Sequence, residues 1–286
     1  MKNKEKIEFY NFYRLDFCLR NLGIGIIGIL SLRGWPPLFY SAVTIFQILL
    51  VQMFSFSTNN IFDYEAWDEE NHSGTLMEHG WAKKTVLVYS SIPLFFLFFT
   101  FFVTGAVSWL LILYLVLFHL YQAPGIRLKN HYISSIIINA VCLGSLLYIY
   151  PFIAISREMN SLAWGFTLIF GIYLVFHEIL HQVAHLGRDI IISLPQVKGI
   201  PRSYFWMKVT LAVNAAVALA FALYDIKHNN VFLITFIFSI LRIFILNKEI
   251  PSQENALKLR LSRDKFYTLQ ECLIYAVILI VLKIWS

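Results

Sequence analysis

Nine runs of apolar residues divide this chain, and short polar stretches separate them. The runs lie near 17–32, 37–57, 85–105, 106–122, 132–151, 161–181, 204–223, 231–247 and 267–285. A helix needs about 20 apolar residues to cross the hydrocarbon core of a bilayer, so several runs fall at or just below one full span. Short spans are tolerated where the helix ends are covered by protein or line a cavity. The first run is the weakest, because Gly23, Gly25 and Gly28 interrupt it. No internal repeat or low-complexity stretch breaks the alternation. The pattern predicts an all-α, polytopic membrane protein with about nine transmembrane helices. It is read as a single membrane domain over 1–286, headed by a polar N-terminal segment, 1–16.

Composition sharpens this picture. Apolar residues make up 58% of the chain and charged residues 14%, with a mean hydropathy of +0.66. Soluble domains carry about 25% charged residues, so this surface calls for lipid. The net charge of +6 could suit nucleic acid, but the Lys and Arg residues sit in short loops between apolar runs, where they set membrane orientation instead. With the N-terminus inside, eighteen of the 23 basic residues fall on the cytosolic side and four on the other, leaving Arg242 within a span. That bias places the N-terminus and the loops after runs two, four, six and eight in the cytosol. Cys18, Cys142 and Cys272 are scattered and odd in number, which fits neither a disulfide framework nor metal spacing. The charged, aromatic N-terminus does not read as a cleaved signal peptide.

The candidate chemistry lies in those same loops, near 58–84, 122–131 and 182–203. Ionisable residues at membrane depth are costly and are functional candidates by default. After run two come Asn59 and Asp63, four apart and so on one helix face. Glu65, Asp68, Glu69 and Glu70 follow closely. Such a density of carboxylates invites cations, and magnesium is typically held by one or two carboxylates together with substrate phosphates. A solvated acidic loop is the plainer reading. After run four, Arg127 and Lys129 suit phosphate oxygens, although basic residues at a cytosolic helix end also serve topology alone. At the end of run six, His177, His181, His185 and Asp189 recur every fourth residue, drifting slowly round one helix face. Three polar clusters at helix ends on one membrane face point to one shared site.

Together these segments resemble the UbiA superfamily of intramembrane prenyltransferases. The first motif of that family is matched by Asn59-Asn60-Ile61-Phe62-Asp63-Tyr64-Glu65, a second hallmark by Tyr121, Pro124 and Arg127-Leu128-Lys129, and the end of its second Asp motif by Asp189, Leu194-Pro195 and Gly199. The resemblance spans nearly the whole chain. It implies a UbiA-type bundle whose central cavity opens to the cytosolic side. It implies magnesium, or manganese in its place, between two Asp motifs and a polyprenyl diphosphate, with a small aromatic or lipid acceptor attacking the isoprenoid carbon. On that footing Asn59, Asp63 and Asp68 are expected to hold one metal, and Asp189 with His185 another. Arg127, Lys129 and Tyr121 are expected at the diphosphate, with Arg20 a further candidate by position and Glu65 behind the ligands. Asp63, Asp189 and Lys129 carry the catalytic expectation.

The chain departs from the family pattern in three ways. Trp67 stands where the first motif usually has its next acidic residue, and Asp68 follows one place late. His185 and Gln182 stand where the second motif has Asp, and an Arg-Pro stretch is missing near Asn71. Imidazole is a poor magnesium ligand beside carboxylate. Three other readings therefore stay open. A UbiA-type terpene cyclase would use the same scaffold. An intramembrane zinc protease would use His177-Glu178-Ile179-Leu180-His181, which is literally HExxH, though three His at every fourth residue of one straight helix do not easily converge on one ion. A lipid-binding protein without catalysis is the third. Acceptor, chain length and oligomeric state cannot be read from the sequence.

Overall fold

The computed structural model describes residues 9–66, 76, 80–187 and 192–285, with the backbone alone for 64–66 and 262–267. Each of the nine apolar runs lies in a helix. We label these α1 (Leu15–Leu30), α2 (Leu38–Ala66), α3 (Lys83–Thr104), α4 (Trp109–Gln122), α5 (Tyr132–Ser156), α6 (Ser161–Ala184), α7 (Ile200–Tyr224), α8 (Asn229–Lys248) and α9 (Asp264–Ile284). Six continuous helical stretches among the described residues are long and apolar enough to cross a membrane, and one of them, Lys83–Gln122, holds α3 and α4 in tandem. The protein is an integral, multi-pass membrane protein.

Local sequence explains where the helices break. Gly105, at a positive φ of 62°, ends α3 and starts a short turn into α4. An L side chain there would be strained. The polar groups at this break are satisfied internally, as the absence of water demands. Gln47 donates to Thr100 O at 3.0 Å and to Thr104 Oγ1 at 3.2 Å, while Tyr150 donates to Gln47. Helix α5 widens into a π-helical segment over Ala140–Leu146. There it crosses α6 closely, since a Cβ on Gly144 would stand 2.6 Å from the Phe170 carbonyl oxygen. Asn160 caps α6 by accepting from Ala163 N at 2.8 Å.

One buried cluster joins α1 to α5, around Ile48, Leu111, Tyr114 and Leu147. A second joins α5 to α9 across α6, around Phe166, Phe170, Phe232 and Tyr275. The phenylalanines of α3 point the other way: Phe95, Phe98, Phe99 and Phe102 are exposed and form a lipid-facing surface. Arg242, inside a span, is held by Glu271 of α9 at 2.7 Å and stacks on the Tyr173 ring, so this membrane-depth charge is paired.

The up-and-down course gathers chain ends at two poles. At one pole the end of α2, the α4–α5 turn, the end of α6 and the segment after α8 come together, with Arg14 at the head of α1 beside them. A parallel bridge between His131 and Ile192 ties two of these loops. At the other pole Lys283 of α9 donates to Leu32 O at 2.5 Å, and Ser161 bonds Asp225. The described parts of the three motif loops, at the end of α2, between α4 and α5 and at the end of α6, meet at the first pole.

Candidate functional site

The last turns of α2 build one wall of the site. Asn59 and Asp63 share a face, and Asn59 Nδ2 donates to Asp63 Oδ2 at 2.8 Å. Two cations reach them from the turn after α4. Arg127 Nη2 donates to Asp63 Oδ1 at 2.9 Å, and Lys129 Nζ bonds the same oxygen as well as Asn59 Oδ1 at 3.1 Å. The turn has the shape this needs: Gly125 has φ 89° and Arg127 itself φ 39°. A left-handed backbone at a non-glycine residue costs about 1–2 kcal/mol, and such outliers gather at functional sites. Arg14 is left-handed too, at φ 47°. It forks onto Asn60 Oδ1 with Nε at 3.0 Å and Nη2 at 2.6 Å, while Asn60 Nδ2 holds Phe12 O at 2.8 Å. The chain before α1 is thereby fastened to α2 beside the site.

Lys129 is 3% exposed. Burial pushes its ammonium below the ordinary value of 10.5, while Asp63 acts to hold it up. Gln122, the last residue of α4, donates to Thr58 Oγ1 at 2.6 Å. Its Oε1 is buried with no partner among the described residues.

The second wall comes from α5 and α6. Glu178 is turned into the protein, where Ser135 Oγ at 2.8 Å, Asn139 Nδ2 at 2.9 Å and Gln182 Nε2 at 3.1 Å all donate to its carboxylate. Gln182 Oε1 accepts from Leu194 N at 2.9 Å and so fixes the start of the next short helix, Leu194–Lys198. His181 and His185 lie ring against ring, 4.6 Å between centroids, and Arg260 bonds His185 Nε2. A small, partly open cavity of about 30 Å³ lies between these residues, Tyr121 and Ser193. Asn139 donates to Tyr121 OH at 3.4 Å, so Tyr121 joins the two walls.

The structure therefore brings Asn59, Asp63, Arg127 and Lys129 together and sets Tyr121 beside them. His185 faces a guanidinium. Arg20 has its guanidinium 4.3 Å over the Phe17 ring, and Arg14 reaches Asn60 of α2. Asp68 and Asp189 lie outside the described residues, as does the side chain of Glu65. His177 packs edge-on against the Tyr173 ring at 4.5 Å, and Glu178 is fully engaged by its three donors. Among the described residues no group of three His, Cys, Asp or Glu side chains is placed to hold a metal. Among the described residues the HExxH side chains His177 and Glu178 make helix contacts, with Tyr173 and with Ser135 and Asn139 of α5.

A hard divalent cation fits the first wall. Asn59 Oδ1 and Asp63 Oδ1 converge on one cation already, the Lys129 ammonium, and oxygen donors of this kind are what magnesium takes. Sequence reasoning missed Arg14, Arg260 and the Ser135–Asn139 pair. The pair carried a signal, two polar residues four apart in an apolar run. Arg260 carried none, since it lies 75 residues from His185.

No family model and no curated protein matches this sequence. Solved structures do match in shape. A UbiA homologue from Archaeoglobus fulgidus bound to GPP and Mg2+ superposes with a TM-score of 0.78 at 13% identity, over 96% of this chain and 99% of that one. A UbiA homologue from the same organism bound to Cd2+ gives 0.76 at 15% identity, over 96% and 97%. A structure of digeranylgeranylglyceryl phosphate synthase gives 0.73 at 18% identity, over 99% and 100%. These likenesses show the fold: the chain is built as the UbiA homologues are, end to end.

Proposed function

We propose that this protein is an intramembrane prenyltransferase that moves an isoprenoid chain from a polyprenyl diphosphate to a small aromatic or lipid acceptor. The observation that carries the reading is the convergence of Asn59 and Asp63 oxygens on one cation, with Arg127 on the same carboxylate, beside a cavity among membrane helices. UbiA homologues of this fold bind GPP with Mg2+ and DMAPP with Mg2+, which supports the same substrate class here.

Asn59 and Asp63 would hold magnesium, or manganese, with Asp68 and Asp189 assigned to the metals by their motif positions. The metal's part is to take up negative charge on the departing diphosphate. Arg127 and Lys129 do the remaining work on the anion. Both side chains would present donors to phosphate oxygens, Arg127 as a planar fork and Lys129 as a compact charge. The low dielectric around buried Lys129 strengthens that attraction. The C–O bond to the diphosphate would break with its electron pair leaving on oxygen, the acceptor would bond the allylic carbon, and the acceptor's proton would pass to the released diphosphate or to water. Tyr121 stands at the junction of the two walls, where the reacting carbon and the acceptor would meet. The bias of basic residues puts this pole, and the N-terminus, on the cytosolic side.

The test is turnover by purified protein in detergent with radiolabelled geranylgeranyl or farnesyl diphosphate and a panel of acceptors, in magnesium and in EDTA. Magnesium-dependent pyrophosphate release with a prenylated acceptor is the expected result. Release with a cyclised hydrocarbon would make the protein a terpene cyclase. No release with any chain length or metal would overturn the reading.

A further inference from the structure

Asn59 and Asp63 offer their oxygens from the last turns of α2, where a helix has least support of its own. The final carbonyls of a helix have no intrahelical partners, and such ends open first. Resting on the prenyl diphosphate reading, we propose that Arg14 is a positioning residue for the metal site. Its grip on Asn60 sets the edge of α2 that carries Asn59 and Asp63.

Asn60 is held at both ends of its carboxamide. Arg14 Nε and Nη2 donate to Asn60 Oδ1 at 3.0 and 2.6 Å, and Asn60 Nδ2 donates to Phe12 O at 2.8 Å. A carboxamide bonded through its oxygen and its nitrogen has one orientation. Asn60 and Phe12 are buried, so water competes little for these bonds. Phe12, Tyr13 and Ile61 share an apolar cluster with Val86 of α3, and Tyr13 OH donates to Tyr89 O at 2.5 Å. Both contacts with Asn60 come from one bend. Arg14 has φ 47° and ψ 50° where α1 begins, and that turn brings the Phe12 carbonyl and the Arg14 guanidinium to the same side chain. A left-handed conformer at a non-glycine residue persists where its surroundings over-determine it.

Asp63 has other partners, Arg127 and Lys129, but these are the cations that the proposed reaction needs at the phosphates. The grip on Asn60 is independent of that exchange. Asn60 lies one residue from Asn59 and three from Asp63, and residues three apart on a helix are neighbours. Its polar atoms are spent on Arg14 and Phe12, so it holds the helix edge without competing for the metal. Arg14 also stands within electrostatic reach of Lys129 on the first wall and of His181 on the second, which puts the fork between the two walls.

The probe is Mn2+, titrated into the full chain in detergent with and without inorganic pyrophosphate, with bound metal counted by equilibrium dialysis. Arg14→Ala should weaken Mn2+ binding about tenfold, the low end of what losing a partner behind the metal ligands costs. Asn60→Ala should weaken it equally, and the double variant no further, since the two residues act as one unit. Arg14→Lys keeps the charge and loses the fork, so it should fall between Arg14→Ala and wild type. The metal concentration for half-maximal pyrophosphate release should rise in the same order. Thermal unfolding identifies misfolded variants. Should Arg14→Ala not fold, Arg14→Lys decides by the same titration, and wild-type affinity there counts against the proposal. Folded Arg14 variants with wild-type Mn2+ affinity, beside an Asp63→Ala protein that has lost it, would overturn the role of Arg14 and leave the prenyl diphosphate reading standing. Additive losses in the double variant would do the same, since they mark two separate structural contacts. Wild-type protein that binds no Mn2+ and releases no pyrophosphate would sink that reading, and the role of Arg14 with it.

Discussion

Two carboxylates stand on opposite walls of one pole, both within electrostatic reach of Tyr121, and they are solvated in opposite ways. Asp63 receives an ammonium, a guanidinium and one amide. Glu178 receives a hydroxyl and two amides, all neutral. Both sit in surroundings where an unpaired charge would cost several kcal/mol. The partners of Asp63 are charges on long side chains from the turn after α4, which on the proposed reading would pass to phosphate oxygens once a metal held the carboxylate. The partners of Glu178 are short side chains on α5 and α6, whose geometry is set by helix packing. The contrast separates a carboxylate held by charges, as the proposed metal site requires, from one that ties two helices together through neutral donors.

The largest effect should come from breaking the first arrangement. Asp63→Ala removes the metal oxygen and leaves Lys129 and Arg127 facing each other. Turnover should fall by about 10³-fold, in the range for losing a preorganised electrostatic group, with the protein still folded by circular dichroism. Asp189→Ala should do the same by its motif position. Wild-type-like turnover in either would end the prenyltransferase assignment. Lys129→Gln should cost less, about 10²-fold, because Arg127 remains. It should raise KM for the prenyl diphosphate more than it lowers kcat, the mark of a group that binds the anion in ground and transition states alike.

These two predictions also show how far the sequence could lead. The four-residue spacing of Asn59 and Asp63 gave their shared face, and the alternation of nine apolar runs with basic loops gave the pole at which Arg127 would meet them. Helix periodicity carries both facts. Arg20 shows the limit. It was singled out by its position near the first span, but the sequence offered no sign that Arg14, a turn earlier, reaches Asn60 through its own left-handed backbone. No pattern of hydrophobicity encodes that bend. Arg260 was illegible for another reason: its contact with His185 depends on a segment after α8 folding back onto α6, a long-range packing event with no local trace. Glu178 was visible but misleading, since HExxH has the spacing of a zinc site and the structure spends that spacing on contacts with α5.

Glu178→Gln is the substitution that tests the contrast itself. A carboxylate accepts from all three of its neighbours. A carboxamide brings two donors of its own, so at least one buried donor loses its acceptor. That costs about 1–3 kcal/mol and should appear as a lower unfolding temperature. Turnover per folded molecule should remain at least about tenfold above that of Asp63→Ala. Loss of turnover as deep as that of Asp63→Ala, with stability unchanged, would mean that Glu178 serves the chemistry and that the two walls are functionally alike.

Asp225 supplies the smallest effect and a reference for both. It lies at the pole away from the site, bonded by Ser161 Oγ and by His228 Nδ1 at 2.9 Å. Burial alone would raise its pKa, but the bonds from Ser161 and His228 outweigh it and hold the carboxyl below 3.8. A carboxylate depressed in the fold contributes stability that is present above the unfolded value and lost as pH falls through the folded one. The unfolding temperature should therefore show a small acid-side loss below pH 3.8 that Asp225→Asn removes. Because the group is partly exposed, its contribution near neutrality should not exceed about 1 kcal/mol. Turnover should be untouched, since α6 places about 30 Å of helix between Ser161 and His181 at 1.5 Å per residue. If Asp225→Asn lowered turnover as Asp63→Ala is expected to, the loss at the site would reflect a bundle that loosens as a whole, and the assignment of Asp63 to the chemistry would fall.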